Sequence, residues 1–336
     1  LVNCFMRGFL FFAVLGTVLS GQTVSGKTAS AHDAMYISLQ IPGSPEKSGT
    51  SDEDGGKVER LDSVVVVASR AGENTPITYT TVGKDELVRT NPINSLPMNL
   101  SLQPSVIATN EGGTGLGYSK MTVRGSKGSQ INVTLNGITL NDAESQEVFW
   151  VNIPSLSTLL SSVQLQRGLG TSANGAGAFG ASVNMSTASV GTHPFATADF
   201  GYGSYNTFTS AVAAGTGLTK SGVYFNAAYS RNFTDGYIRN AKADVQSAMA
   251  TLGWMNERNS LKLTWLMGKQ KTGITWNGID LDTYAKDRRY NSAGEYYDYR
   301  RNPDGSYVLD SDGNRIVNST LYYDNETDNY TQHHLQ

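Results

Sequence analysis

Val223 to Ser230 reads VYFNAAYS. Successive side chains of an extended chain point to opposite faces, so Val223, Phe225, Ala227 and Tyr229 share one face and Tyr224, Asn226, Ala228 and Ser230 the other. Ser260 to Met267 repeats the pattern, with Leu261, Leu263, Trp265 and Met267 against Ser260, Lys262, Thr264 and Leu266. Ala196 to Tyr202 does so again, with Ala196, Ala198, Phe200 and Tyr202 against Thr197, Asp199 and Gly201. One face is apolar and the other polar or small. Segments of about ten residues with this two-residue period suit the wall of a transmembrane barrel, apolar toward lipid and polar toward the lumen. The stretch 205–215, YNTFTSAVAAG, alternates poorly. A soluble β-sandwich also alternates, which leaves a secreted adhesin or carbohydrate-binding protein as the alternative.

Connection lengths separate the two readings. Strands expected near 195–202, 205–215, 222–231, 245–255, 259–269 and from 329 onward are joined by tight turns at 216–221 and 256–258 and by large loops at 232–244 and 270–328. If the first strand rises from the periplasm, both tight turns fall inside and both large loops outside, the asymmetry of outer-membrane barrels. Only the turn at Gly203 and Ser204 is unusually short for an outer loop. No run of about 18 apolar residues follows residue 21, so a membrane-spanning part of this chain has to be a barrel.

Upstream, short strand-like stretches are bounded by glycine and asparagine: MTVRGS, INVTLNGITLND, VQLQRG and ASVNMS. Asn136-Gly137 is a hairpin signal between Ile131 to Leu135 and Ile138 to Leu140. Helix is expected over 84–89 and, limited by Pro97, over 93–102. Together 72–190 reads as a small α+β domain. Before it, 22–60 is rich in Ser, Gly, Thr, Lys and Asp and reads as a flexible periplasmic tether. FMRGFLFFAVLGTVLS at 5–20 has the layout of a secretory signal, assigned to 1–21, and Cys4 precedes its apolar run.

Composition narrows the chemistry. Of 336 residues, 36 are glycine and 16% are charged, and the net charge of -3 offers no field for nucleic acid. The single cysteine and four histidines give no cysteine-rich metal site, no disulfide framework and little acid/base machinery. We expect no enzyme activity and no cofactor. GAGAFG at Gly175 to Gly180 matches a dinucleotide fingerprint only in letters, because ASVNMSTASV after it reads as a strand and not as the helix that would hold a pyrophosphate. DSDGNR at Asp310 to Arg315 resembles a calcium loop, but Leu321 stands at its twelfth position and turn signals at Asp304-Gly305 and Asp312-Gly313 favour a loop hairpin. His333 and His334 would face opposite ways on a strand.

Three separated motifs carry a family resemblance. DSVVVVAS at 62–69 resembles the TonB box, assigned to 61–69, with Asp62, Ser63, Val64, Val65, Val66, Val67 and Ala68 as the partner-binding residues. MTVRGSKGSQINVTLNGITLND at 121–142 is similar to the plug segment of TonB-dependent outer-membrane receptors, with Arg124, Gly125, Asn136 and Gly137 as its marks. VQLQRGLGTSANGAGAFGASVNMST at 163–187 is similar to that plug's last signature, with Arg167, Gly168, Gly175, Gly177 and Gly180. Asn136 stands where Asp is usual and Leu169 where Pro is common. The resemblance implies a plug seated in a 22-stranded antiparallel barrel of the outer membrane, of which 191–336 would be the N-terminal portion, and a plug and TonB box facing the periplasm.

A barrel of that size needs some 450 to 550 residues at roughly 20 to 25 per strand and connection. About 146 follow Gly191, so the chain is expected to be part of a longer protein. The partners implied are TonB, outer-membrane lipid and an extracellular nutrient or metal chelate, foremost an iron-siderophore complex, with a corrinoid or glycan as alternative cargo. Cargo contact is expected from the outward loops: Asn110, Glu111 and Tyr118, then Glu147, Phe149 and Trp150, then the tyrosine-rich loop with Tyr290, Tyr296, Tyr297, Arg300 and Arg301.

Overall fold

The computed structural model describes residues 24–28, 35–40, 70–72, 75–90, 95–169, 178–187, 190–322 and 326–336. The expected signal segment, the TonB box and the glycines Gly175 and Gly177 lie outside the described residues.

Two short strands come first, β1 (Val24–Thr28) and β2 (Met35–Gln40), and they pair antiparallel. They correct the expectation that 22–60 is a flexible tether throughout. MYISLQ at 35–40 alternates apolar and polar residues, and an unpaired sheet edge supplies the ladder partners that so short a strand needs.

The α+β domain follows. Its main sheet has the order β3-β8-β9-β6-β7, formed by β3 (Thr78–Gly83), β6 (Ile131–Leu135), β7 (Ile138–Thr139), β8 (Leu160–Arg167) and β9 (Ala181–Thr187). β6 and β9 run parallel and the other pairs antiparallel. A separate hairpin joins β4 (Val106–Asn110) to β5 (Ser119–Val123). Asn136 and Gly137 both have positive φ, 52° and 85°, the two-residue turn that Asn-Gly favours. The helix expected at 84–89 forms as α1 (Lys84–Thr90). In α2 (Leu96–Leu100) Pro97 sits in the first turn, where its missing N–H is no loss, so it opens this helix instead of limiting one that begins at 93. A short α3 (Leu156–Leu159) precedes β8.

The larger sheet has the order β1-β2-β10-β11-β12-β13-β14-β17, every neighbour antiparallel. Its new members are β10 (Phe195–Gly203), β11 (Thr207–Gly215), β12 (Val223–Thr234), β13 (Ala243–Met255), β14 (Ser260–Gly273) and β17 (Thr327–Leu335). Tight turns at 216–222 and 256–259 lie on one rim, and the connections 204–206, 235–242 and 274–326 on the other. The β10–β11 turn is minimal because Tyr205 and Asn206 both take positive φ, 57° and 54°. The long connection holds α4 (Leu281–Lys286) and a hairpin of β15 (Glu295–Tyr299) with β16 (Val317–Tyr322). Asp310 accepts the backbone N–H groups of Asp312 and Asn314, and Gly313 has φ 82°, so the calcium-like stretch is a hairpin turn, as its sequence favours.

Burial on this sheet alternates as the sequence pattern requires. Ser230, Asn232 and Thr234 of β12, Val245, Ser247 and Thr251 of β13, and Thr264, Leu266, Gln270 and Thr272 of β14 are buried. Val223, Phe225, Tyr229, Leu252, Trp254, Leu261, Leu263 and Trp265 are exposed on the opposite face. The weakly patterned β11 obeys the same rule, with Thr207 and Thr209 buried and Phe208 and Val212 exposed; its run of small residues at 211–214 supplied no contrast to read.

Candidate functional site

The α+β domain is seated on the polar and small face of the larger sheet. Met249 and Leu266 from that sheet join the domain's own core of Leu100, Ile131, Val133, Trp150, Ile153, Leu165 and Val183. Polar contacts accompany them: Asn232 Nδ2 donates to Ser155 Oγ at 2.6 Å and Lys262 Nζ to Thr187 Oγ1 at 3.1 Å. Contact is closest at Gly268, where any Cβ would overlap the carbonyl of Asn152.

The expected signature residues build this domain. Arg124 and Gly125 take positive φ, 50° and 79°, and turn the chain after β5. Arg167 is buried at 6% exposure, donates to Pro104 O at 2.9 Å and Thr80 Oγ1 at 2.8 Å, and receives at its carbonyl a bond from Arg124 Nη1 at 3.3 Å. Burial, together with the neighbouring Arg124 charge, lowers the Arg167 pKa from its usual range. Gly168 has φ 101° and donates its N–H to Gly180 O, while a Cβ at Gly180 would overlap Ser126. These residues are therefore fold determinants, lashing the end of β8 to the start of β9 and to the 124–130 turn.

Residues 71–182 match the family described as TonB-dependent Receptor Plug Domain. The chain carries a TonB-dependent receptor plug. Among solved structures, the copper transporter OprC is 16% identical with a TM-score of 0.51, over 60% of this chain and 31% of that one. The ferric yersiniabactin uptake receptor FyuA from Yersinia pestis is 15% identical with a TM-score of 0.47, over 58% of this chain and 32% of that one. Pseudomonas aeruginosa FpvA in complex with a heterologous ferric pyoverdine is 16% identical with a TM-score of 0.48, over 77% of this chain and 31% of that one. The chain thus spans about a third of the length of these structures. No curated protein matches it. The plug is followed by antiparallel strands, as expected from the sequence.

A cavity of about 440 Å³ lies between the plug and β17. Tyr118, Asp142, Glu147 and Phe149 line it from the plug, and Asp328, Tyr330 and His334 from β17. Tyr118 donates its hydroxyl to the Asp328 carboxylate, which also accepts from Gln270 Nε2 at 2.8 Å, and its ring meets Trp276 edge-on at 5.2 Å. Burial first, and then the Asp328 carboxylate, push the Tyr118 phenol far above the ordinary tyrosine range. It stays a donor at any physiological pH. Asp142 is held below the usual carboxylate range by the Ser145 N–H and hydroxyl and the Glu144 N–H. The cavity therefore offers three carboxyl groups among aromatic rings.

Two of the three expected contact loops meet at this cavity, through Tyr118, Glu147 and Phe149. The third does not line it. Trp150, expected as a contact, is a core residue at 6% exposure, because the short 150–152 helix commits it to the buried cluster with Val133, Ile153 and Leu156. Asn110 is also committed to structure: its Nδ2 donates to Leu116 O and Tyr118 O, and its Oδ1 accepts from Thr114 and Gly115. That uses the full capacity of the amide. Glu111 pairs with Lys120 at 3.1 Å. In the tyrosine-rich loop Arg301 caps the Tyr307 ring at 4.3 Å and donates to Tyr307 Oη, and Tyr290 and Tyr297 face each other through their hydroxyls. Tyr296, Tyr297 and Arg300 lie on the same exposed hairpin region. Nothing in the sequence pattern points to Asp328 and Tyr330, because Asp328 meets Tyr118 from 210 residues away in the chain.

Among the described residues no helix is long and apolar enough to cross a membrane.

Proposed function

We propose that this chain forms the plug and the first wall strands of a TonB-dependent importer in the outer membrane, with its long-loop rim facing outward and its TonB box facing the periplasm. The observation that carries the reading is the plug of 71–182 seated on the polar face of strands whose opposite face exposes Phe225, Leu252, Trp254, Leu263 and Trp265. An aqueous protein gains nothing from such a face, whereas lipid accepts it. Cargo would be an iron-siderophore complex, held by the aromatic rings and hydrogen-bonding groups of the plug and wall loops; Tyr118, Glu147, Phe149, Tyr296, Tyr297 and Arg300 are the contacts we assign to it. TonB would engage Asp62 to Ala68 and supply the pull. The protein is a receptor and not an enzyme, in keeping with the family and the matched structures.

Val65→Pro tests the coupling, because proline removes a ladder donor from an added strand. Cargo binding to whole cells should persist while energised uptake is lost; undiminished uptake would refute the role given to 62–68. A growth panel of ferric chelates, corrinoids and glycans on a deletion strain decides the cargo.

A further inference from the structure

The plug begins with a clasp on its own sheet. The Ala71 N–H donates to Gln164 Oε1 at 2.7 Å, and Gln164 Nε2 donates back to Ala71 O at 2.9 Å, so one side-chain amide imitates a strand neighbour. The same amide receives Gln166 Nε2 at 2.9 Å and donates to Thr81 Oγ1 at 3.2 Å. All four directions are occupied, and turning the amide over would set its NH2 against the Ala71 and Gln166 donors, so its orientation is fixed. Next door, Arg70 donates from Nη1 to Ser162 Oγ at 3.0 Å and from Nη2 to Asn184 O at 3.0 Å and Ser162 O at 3.3 Å. Ala71 and Gln164 are both buried.

The position of these bonds in the chain gives them their meaning. Asp62 to Ala68 lie immediately before the clasp, and Thr78–Gly83 after it forms β3, an edge strand that among the described residues pairs with β8 alone. Gln164 sits in the middle of β8, opposite Thr81 of β3 and Asn184 of β9 in register. A pull applied before residue 70 meets Arg70 and Ala71 first, and only when they yield can it reach the β3 ladder.

We propose that Gln164, with Arg70, is a tension clasp: it holds the plug's first residues on the sheet at rest and sets the force at which β3 begins to peel. This deepens the import reading, since it presumes a pull from the periplasmic side. Gln164 is a positioning residue and touches no cargo.

The test uses the whole receptor purified in detergent. Gln164→Met keeps the length and bulk of the side chain but has no amide, and Arg70→Lys keeps a charge but loses the fork. In Gln164→Met, hydrogen exchange at the Ala71 amide should rise roughly tenfold or more, with the amides of Ile131 to Leu135 unchanged. Pulling from residue 62 with the periplasmic domain of TonB as the handle should show a lower first rupture force in both variants, with later ruptures unaltered. Unchanged Ala71 exchange, or an unchanged first rupture, would overturn the clasp. If Gln164→Met loosens the β6 amides as well, the residue is a core support only and the proposal fails. The exchange measurement needs no transport, so it stands or falls separately from the Val65→Pro uptake test of the import function.

Discussion

β6 and β12 have the same kind of sequence and opposite surroundings. INVTL in β6 alternates apolar and polar residues, as VYFNAAYS in β12 does. Yet all five residues of β6 are buried, Asn132 and Thr134 included, whereas β12 buries Tyr224, Ser230, Asn232 and Thr234 and exposes Val223, Phe225 and Tyr229. A period of two says only that a strand has two different faces. What each face meets is settled by the layers around it: in the plug both faces are interior, and on the polar one Thr134 Oγ1 donates to Asn184 Oδ1 at 2.8 Å. On the wall the polar face meets the plug and the apolar face meets the outside, an inversion of the usual soluble arrangement.

Substitutions that reach one face and spare the other break or sharpen this contrast. Leu165, fully buried in the plug, should lose about 2–5 kcal/mol of plug stability as Leu165→Ala, because the packed core cannot close over the void. Differential scanning fluorimetry of the detergent-solubilised receptor, with protease sensitivity of 71–182, reads it. On the wall's exposed face, Leu252→Arg should cost about 1–4 kcal/mol of wall stability and leave plug protease resistance intact. Refolding into liposomes measures it, and a wild-type yield would refute the lipid-facing assignment. Between the two lies Gly268, where the wall's backbone meets Asn152 O: Gly268→Val should cost about 1–3 kcal/mol and unseat the plug without unfolding it, seen as faster exchange over 150–153.

The wall was legible because its contrast is strong. Leu261, Leu263 and Trp265 alternate with Lys262 and Thr264, and strand positions follow from that within a few residues. The Asn136-Gly137 turn was equally plain, since few residue pairs take positive φ twice. Pro97 reads as a limit because proline breaks helix interiors, and whether it starts or stops a helix depends on where the chain enters, which no local pattern states. The residues expected to meet cargo fall in different surroundings. Tyr118, Glu147 and Phe149 do converge on one cavity, but Trp150 beside them belongs to the core, and aromatic character alone does not distinguish a side chain that recognises from one that packs. Gln164 was invisible as a clasp: its role comes from contacts to Ala71, Thr81 and Gln166 that only the folded sheet brings together.

The smallest expected effect lies in the loops above the wall. Arg239 Nη1 bonds the Asp287 carboxylate and, at 3.2 Å, Glu295 Oε1, joining the β12–β13 connection to the start of the β15–β16 hairpin. Glu295 is the buried member, its side chain 4% exposed, and burial raises its pKa even with the Arg239 cation beside it; Asp287 is lowered, first by the Arg289 N–H and then by Arg239. The two carboxyls therefore respond to acid with opposite signs. For Asp287 the stabilising contribution is present above its unfolded pKa and disappears as pH falls through the folded one. For Glu295 the folded state binds its proton more readily than the unfolded state, so its charge disfavours the folded loop in full above the folded pKa, and the penalty shrinks as pH falls through it and is gone below the unfolded pKa. Arg239→Ala leaves a buried Glu295 charge without this cation, which should loosen 291–299 at neutral pH and let it recover as acid protonates Glu295. Exchange rates over that segment, measured from neutral to acid pH, check it; loosening that persists at the acid end would mean that Arg239 acts through the packing of its side-chain stem and not through charge.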